Sequence, residues 1–282
     1  MKAGGTWVEE DRLAADGRAG RALSGFLVLD AHAHISTTSG FPYVDSSVES
    51  TVRVMDRLGI ARTYVSSTTA IYGLARQGND EVIEAMRRYP GRIRGYMVVN
   101  VGYEDTILPE MERCYAAGIR AVKIWSYGNR PGLPYDHRNY EVVFGFAEER
   151  GLPVLAHTWG LPVDREYWGG ELEQLEPAFR KYRRITWILA HSGSRQVEQY
   201  IRMACDYEQV YLETSFSVCP RGLIERFVGS VPLEKIVWGS DRIYMNTAHQ
   251  LGRVLFAGIS EGEKWAILGE NAARALESGL AA

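Results

Sequence analysis

The chain has 282 residues, 46% of them hydrophobic and 24% charged, a composition that excludes wholesale disorder and leaves ample material for a core. With 32 basic and 35 acidic residues the net charge is -3, so no positive excess exists to hold nucleic acid or a membrane surface, and the expected partner is a small molecule. Cys114, Cys205 and Cys219 lie far apart with no CxxC pair, which suits core residues of a cytoplasmic protein. The sequence shows neither a secretory signal nor a membrane-spanning apolar stretch.

Residues 1–25 read as an N-terminal extension of mixed charge. From there, short apolar runs rich in Val, Ile and Leu alternate with longer segments of helical period. The runs are Phe26 to Asp30, Arg62 to Ser66, Ile93 to Asn100, Ile119 to Trp125, Leu152 to His157, Ile185 to His191, Val210 to Glu213 and Ile236 to Asp241. Predicted helices occupy 46–59, 79–91, 105–118, 136–151, 171–184, 194–207 and 222–231, and a last one at 261–279 caps the array. Several open on Ser, Asn or Asp suited to N-capping and several end on Gly. Strand then helix, repeated at roughly 25–35 residues per unit, predicts an α/β fold: a (β/α)8 TIM barrel in one domain, residues 26–282. A doubly wound open sheet is the alternative.

In such a barrel the chemistry sits where the strands end. The first run leads into Asp30-Ala31-His32-Ala33-His34, the fourth contains Lys123, the fifth and sixth end at His157 and His191, and the eighth ends at Asp241. Alternate residues of a strand share a face, so His32 and His34 can point together into the barrel mouth. His32, His34, His157 and Asp241 offer imidazole and carboxylate donors suited to zinc or another first-row divalent ion. Such an ion would activate water without any serine or cysteine nucleophile, with Asp241 shuttling the proton. Each residue alone has a bland reading, as a core histidine or a helix-capping aspartate; together they converge on one rim.

The segments VLDAHAHI ending at Ile35, GIRAVKIW ending at Trp125, LPVLAHTWG around His157, ITWILAHSG around His191, IVWGSD ending at Asp241 and ILGENAARAL near the C-terminus occur in this order. Through them the chain resembles the amidohydrolase superfamily, in the branch of amidohydrolase-related hydrolases and aminocarboxymuconate-semialdehyde-type decarboxylases. The resemblance implies that His32, His34, His157 and Asp241 bind the more buried metal, that His191 orients substrate or a second metal, and that Asp241 is the general base. It also places Lys123 where two-metal relatives carry a carboxylated lysine. One Zn2+ is therefore expected, or two if Lys123 is carboxylated; the other role for Lys123 is a charged lysine binding substrate or pairing with a carboxylate.

Arg242 and Arg130 are candidates to clamp a substrate carboxylate, against the default of surface arginines. Glu213 reads as a buried hydrogen-bond partner, and His137 and His249 are set aside as helix residues. Phe41, Tyr43, Tyr72, Trp125, Tyr127, Tyr135, Trp159, Trp168 and Tyr244 fall in the loops of the mouth and would favour an apolar or aromatic substrate, or else pin the loops. The main expectation is a metal-dependent hydrolase cleaving an amide, ester or lactone; the alternative is a metal-dependent non-oxidative decarboxylase of an aromatic or enoic acid. A purely structural metal is disfavoured, because closed structural sites draw largely on cysteine. A homodimer is the default assembly.

Overall fold

Short aliphatic runs, too brief for helices, form the centre of the molecule. In the computed structural model, which describes residues 11–37, 45–126, 132–159, 171–193, 196–216 and 220–278, they make eight parallel strands in sequence order. These are β1 (Leu29–Ile35), β2 (Arg62–Ser67), β3 (Ile93–Met97), β4 (Ala121–Ile124), β5 (Val154–His157), β6 (Trp187–Ala190), β7 (Val210–Glu213) and β8 (Ile236–Val237). Helices cover the outside, including Val48–Leu58, Ala75–Arg88, Arg138–Arg150 and Thr247–Leu255. Ser47 caps the first of these by accepting from Ser50 N at 3.1 Å, and Gly59 ends it in the left-handed region at φ 81°. A Cβ at Gly59 would meet the Leu23 carbonyl oxygen at 2.1 Å, so this turn admits glycine alone.

The barrel closes between β1 and the segment after β8. Ala31 N donates to the Trp238 carbonyl at 3.1 Å, Asp241 N to the His32 carbonyl at 2.7 Å, and His34 N to the Arg242 carbonyl. Residues 238–242 thus run alongside β1. The eight-unit barrel read from the sequence is the fold, with helix Asn271–Glu277 plugging its N-terminal end through Ala272, Ala275 and Leu276.

An irregularity in β1 decides what the barrel mouth contains. The pairing register between β1 and β2 shifts between Asp30 and Ala33. Leu29 and Ala31 pack with Tyr64, Tyr96 and Leu155 inside the barrel, whereas Ala33 and Ile35 pack with Val65 and Val82 in the outer core. A bulge of this kind changes the parity of the strand. It lets His32 and His34 face inward above Ala31.

Three departures from the sequence expectations bear on how the ends of the chain pack onto the barrel. The first strand begins at Leu29 rather than Phe26, because the Phe26 ring stacks on Trp265 at 5.8 Å outside the ladder. The described part of the N-terminal extension holds a helix, Arg12–Arg18, whose Leu13 is fully buried and whose capping Asp11 binds the Lys264 ammonium. The long C-terminal helix is interrupted by a π turn over Ala266–Glu270. Of the cysteines, Cys114 is buried but Cys205 is exposed, and Cys219 lies outside the described residues. No helix among the described residues is long and apolar enough to cross a membrane.

Candidate metal centre

Four strands and the β8 loop bring the site together. β1 supplies His32 and His34, β2 supplies Ser66, β4 supplies Lys123, β7 supplies Glu213, and the closing segment supplies Asp241. Asp241 and His191 both hold left-handed backbone, at φ 48° and 64°. Non-glycine residues adopt that region at a cost of about 1–3 kcal/mol, so the surrounding fold over-determines their positions.

His32, His34 and Asp241 form one cluster of mutually close donor atoms. His34 Nε2 lies 3.1 Å from Asp241 Oδ1, His32 Nε2 lies 3.5 Å from it, and the two Nε2 atoms are 3.2 Å apart. The opposite nitrogens are already engaged. His32 Nδ1 donates to Glu213 Oε2 at 3.0 Å, and His34 Nδ1 faces Ser66 Oγ at 3.0 Å. With both protons on Nδ1, two Nε2 lone pairs and a carboxylate oxygen face one another in a buried space. Such a donor set, lone pair against lone pair, fits a divalent cation between them, with the Lys123 ammonium reaching only the His32 member of the pair of imidazoles. Imidazole and carboxylate together suit first-row ions such as zinc or manganese.

Glu213 is the hub beneath this cluster. Its Oε2 accepts from His32 Nδ1, from the His191 backbone N–H at 3.2 Å and from the Ser215 hydroxyl at 2.8 Å, while its Oε1 accepts from Ser215 N. Burial pushes Glu213 up to about 8, against the pull of the Ser215 donors. Four converging donors are fully matched only by the carboxylate. His191 Nδ1 donates to the Ser215 carbonyl at 3.0 Å, and its Nε2 has no hydrogen-bond partner among the described residues. Asp30 anchors the closing segment through Ser240 N and Oγ, at 2.8 and 2.6 Å.

The site disfavours positive charge on its own side chains. Burial lowers His32 and His157 well below the ordinary histidine value, with Lys123 opposing protonation of His32 and His191 opposing that of His157. Burial also lowers His191 to about 4 and Lys123 to about 8. Neutral imidazoles are what a metal requires. The Lys123 Nζ lies 3.1 Å from His32 Nε2.

Of the residues singled out from sequence, His32, His34, Asp241, Lys123 and His191 meet at the mouth. His157 adjoins them, its ring centroid 4.8 Å from that of His191, but it belongs to neither cluster of convergent donors. Trp125 and Trp159 flank His157 at 5.2 and 6.2 Å, and Tyr244 stands 5.1 Å from His34. Tyr135 instead ties loops together, its hydroxyl donating to the His157 carbonyl at 2.7 Å. The guanidinium of Arg242 turns to the helix Val48–Leu58, donating to Ser50 Oγ at 2.7 Å and Thr51 Oγ1 at 3.2 Å. Arg130, Phe41, Tyr43, Tyr127 and Trp168 lie outside the described residues. Sequence reading missed Asp30, Ser66, Ser215 and Phe216. Asp30 stands in the same DAHAH run as the ligands, but the serines carry no spacing signal.

The barrel and its buried triad define a (β/α)8 protein with a divalent-metal centre at the strand ends. The chain belongs to the amidohydrolase family, whose profile matches residues 29–277. Among curated proteins, none matches its sequence. Its fold is similar to that of 2,6-dihydroxybenzoate decarboxylase from Rhizobium, with TM-score 0.73 and 17% identity over 89% of this chain and 98% of that one. It is also similar to 5-carboxyvanillate decarboxylase from Sphingomonas paucimobilis, with TM-score 0.72 and 16% identity over 89% and 99% of the two chains. A third similar structure is dihydroxybenzoic acid decarboxylase from Polaromonas, solved with bound manganese and 2-nitroresorcinol; here TM-score is 0.71 and identity 19% over 89% and 97%. At these identities the likeness is one of fold.

Proposed function

We propose that this protein is a metal-dependent, non-oxidative decarboxylase of an aromatic carboxylic acid, using one divalent ion. The observation that carries the reading is the wall of flat rings around a triad of metal donors. Trp125 and Trp159 flank His157, Phe216 packs on Trp159 at 4.7 Å, and Tyr72 packs on Trp125 at 5.5 Å. A planar acid is the ligand such a wall accepts best. The similar structures named for decarboxylation of hydroxylated benzoates, one of them with manganese bound, support the same chemistry. Cleavage of an amide, ester or lactone is the rival reading, favoured by the family match alone.

His32, His34 and Asp241 would hold the ion, and we assign His157, at the end of β5 with its ring 4.8 Å from that of His191, as a further donor beside them. When bound, the ion supplies a Lewis acid that fixes and polarises the oxygens of the acid. Lys123, as an unmodified ammonium, pairs with the substrate carboxylate. The Trp125 indole N–H, buried and without a partner among the described residues, offers one more donor at the wall. Asp241, holding on its second oxygen a proton taken from solvent, delivers it to the ring carbon as the bond to the carboxyl carbon breaks; that bond's electron pair goes to the new C–H bond, carbon dioxide leaves, and Asp241 is protonated again from solvent. Glu213 holds His32 in one tautomer throughout, and His191 Nε2, an acceptor in this tautomer, takes a hydrogen bond from a ring hydroxyl of the acid.

The test is a substrate screen with manganese- or zinc-loaded enzyme on hydroxylated benzoates beside amides and lactones. Carbon dioxide release, with one solvent deuteron appearing on the product ring in D2O, is expected. Turnover of an amide or lactone without carbon dioxide would establish the rival reading. Native mass spectrometry should give one metal per chain and no carbon dioxide adduct on Lys123.

A further inference from the structure

Arg242 also lines a second cavity. It lies between the helices Arg12–Arg18, Val48–Leu58 and Thr247–Leu255, has a volume of about 460 Å3, and is lined by none of the metal-centre residues. That volume is in the range of small-molecule sites. Arg21, Arg57 and Arg242 line it, and among the described residues no carboxylate does.

The three cations differ in how they are matched. Arg21 is paired with Asp16 at 2.8 Å. Among the described residues the Arg242 guanidinium hydrogen-bonds to neutral oxygens: the hydroxyls of Ser50 and Thr51 and, at 3.4 Å, the backbone carbonyl of Asp45. The Asp45 carboxylate is itself taken by Arg53 at 2.6 Å. Arg57 is exposed and has no ion pair or hydrogen bond from its side chain among the described residues. A half-buried guanidinium hydrogen-bonded to neutral oxygens, beside a second one without a partner among the described residues, leaves positive charge at the cavity wall that Asp30 and Asp45 offset only from a distance.

The rest of the lining is apolar and regular. Val54 and Leu58 lie four apart on one helix, as do Leu251 and Leu255 on the other, and Leu23 joins them. Thr247, 3% exposed, also lines the cavity, and its hydroxyl has no partner among the described residues. It opens the nine-residue helix Thr247–Leu255, whose N-terminus adds a favourable dipole for an anion.

We propose that this cavity is a binding site for an organic anion with an apolar tail, a carboxylate or phosphate monoester. Its head binds Arg57 and Arg242 and its tail lies over Leu58 and Leu251. The assignment is independent of the reaction at the metal centre. Inorganic anions lack the tail, and neutral amphiphiles leave the guanidinium groups unmatched.

Isothermal titration of the full-length protein with octanoate, octyl phosphate, octanol and acetate tests it. Octanoate and octyl phosphate should bind one per chain at this site, with acetate and octanol at least tenfold weaker. The Kd of octanoate should rise at least tenfold in Arg57→Gln and in Ala248→Phe, which fills the cavity. Both positions are exposed, and circular dichroism checks that each variant is folded. An octanoate Kd unchanged in both folded variants, or octanol binding as tightly as octanoate, would overturn the proposal. Binding at the barrel mouth would give the first of these results.

Discussion

His32 donates its Nδ1 proton to Glu213 across 3.0 Å, and this contact turns the Nε2 lone pair of His32 toward His34 and Asp241. A carboxylate behind a metal-binding imidazole fixes its tautomer and raises its basicity. Glu213→Gln should therefore lower the affinity for manganese or zinc by about 10–100-fold. Metal titration of the refolded apoprotein measures it; an affinity equal to wild type would mean that Glu213 serves packing alone.

Removal of the ion should cost both turnover and stability. An ion held at 100 times its Kd stabilises the native state by about 2.7 kcal/mol. At roughly 2.1 cal/mol/K per residue, that corresponds to about 5 °C in Tm for a chain of this size. Chelation should lower Tm by that order and abolish decarboxylation, and added manganese should restore both. Loss of turnover at constant Tm would place the ion outside the native cluster.

The activity should fall on the alkaline side as Lys123 loses its proton, since burial brings that ammonium down to about 8. Below this value the charged form is present to pair with substrate; above it the pairing is lost. A kcat/KM profile should show a descending limb near that pH, and Lys123→Met should remove the limb together with most of the activity. A limb that persists in the variant belongs to another group.

In the metal-free protein, His191 sets an acid-side slope. Its folded value is about 4 against an ordinary value of 6.5, so between these the unfolded chain binds a proton that the folded chain does not. The contribution is fully present above 6.5 and is lost as pH falls toward 4. Urea midpoints measured across this window should decline with acid less steeply in His191→Gln than in wild type.

Gly239 touches the site by having no side chain. A Cβ there would stand 2.6 Å from Glu213 Oε1 and 2.7 Å from His32 Cβ. Gly239→Ala must displace one of them, at about 1–3 kcal/mol of overpacking strain, and should weaken metal binding together with stability. Urea unfolding and metal titration report the two effects. A variant with unchanged metal affinity would show that the hub tolerates movement.

Much of this architecture was legible from periodicity. The run of Val154 to His157 reads as a strand ending in a ligand-type residue because buried parallel strands are apolar throughout, and a polar terminus then stands out. His191 and Asp241 were found in the same way. Ser66 and Ser215 were not, because a serine after a strand resembles any loop serine until its neighbour across the barrel is known. The direction of Arg242 was equally hidden. Its position directly after Asp241 suggested the mouth, yet the backbone that hydrogen-bonds to β1 sends its side chain outward to Ser50 and Thr51.

The sequence by itself determined the eight-unit barrel and the identity of the chemical groups at its rim, because both follow from local patterns of apolar and polar residues. Only the tertiary structure decided which of those groups converge. The bulge between Asp30 and Ala33 resets the parity of β1, and the closing segment from Trp238 to Arg242 brings Asp241 to the two imidazoles. Both are non-local hydrogen-bonding outcomes: they depend on where a neighbouring strand lies, and no single stretch of chain carries that information.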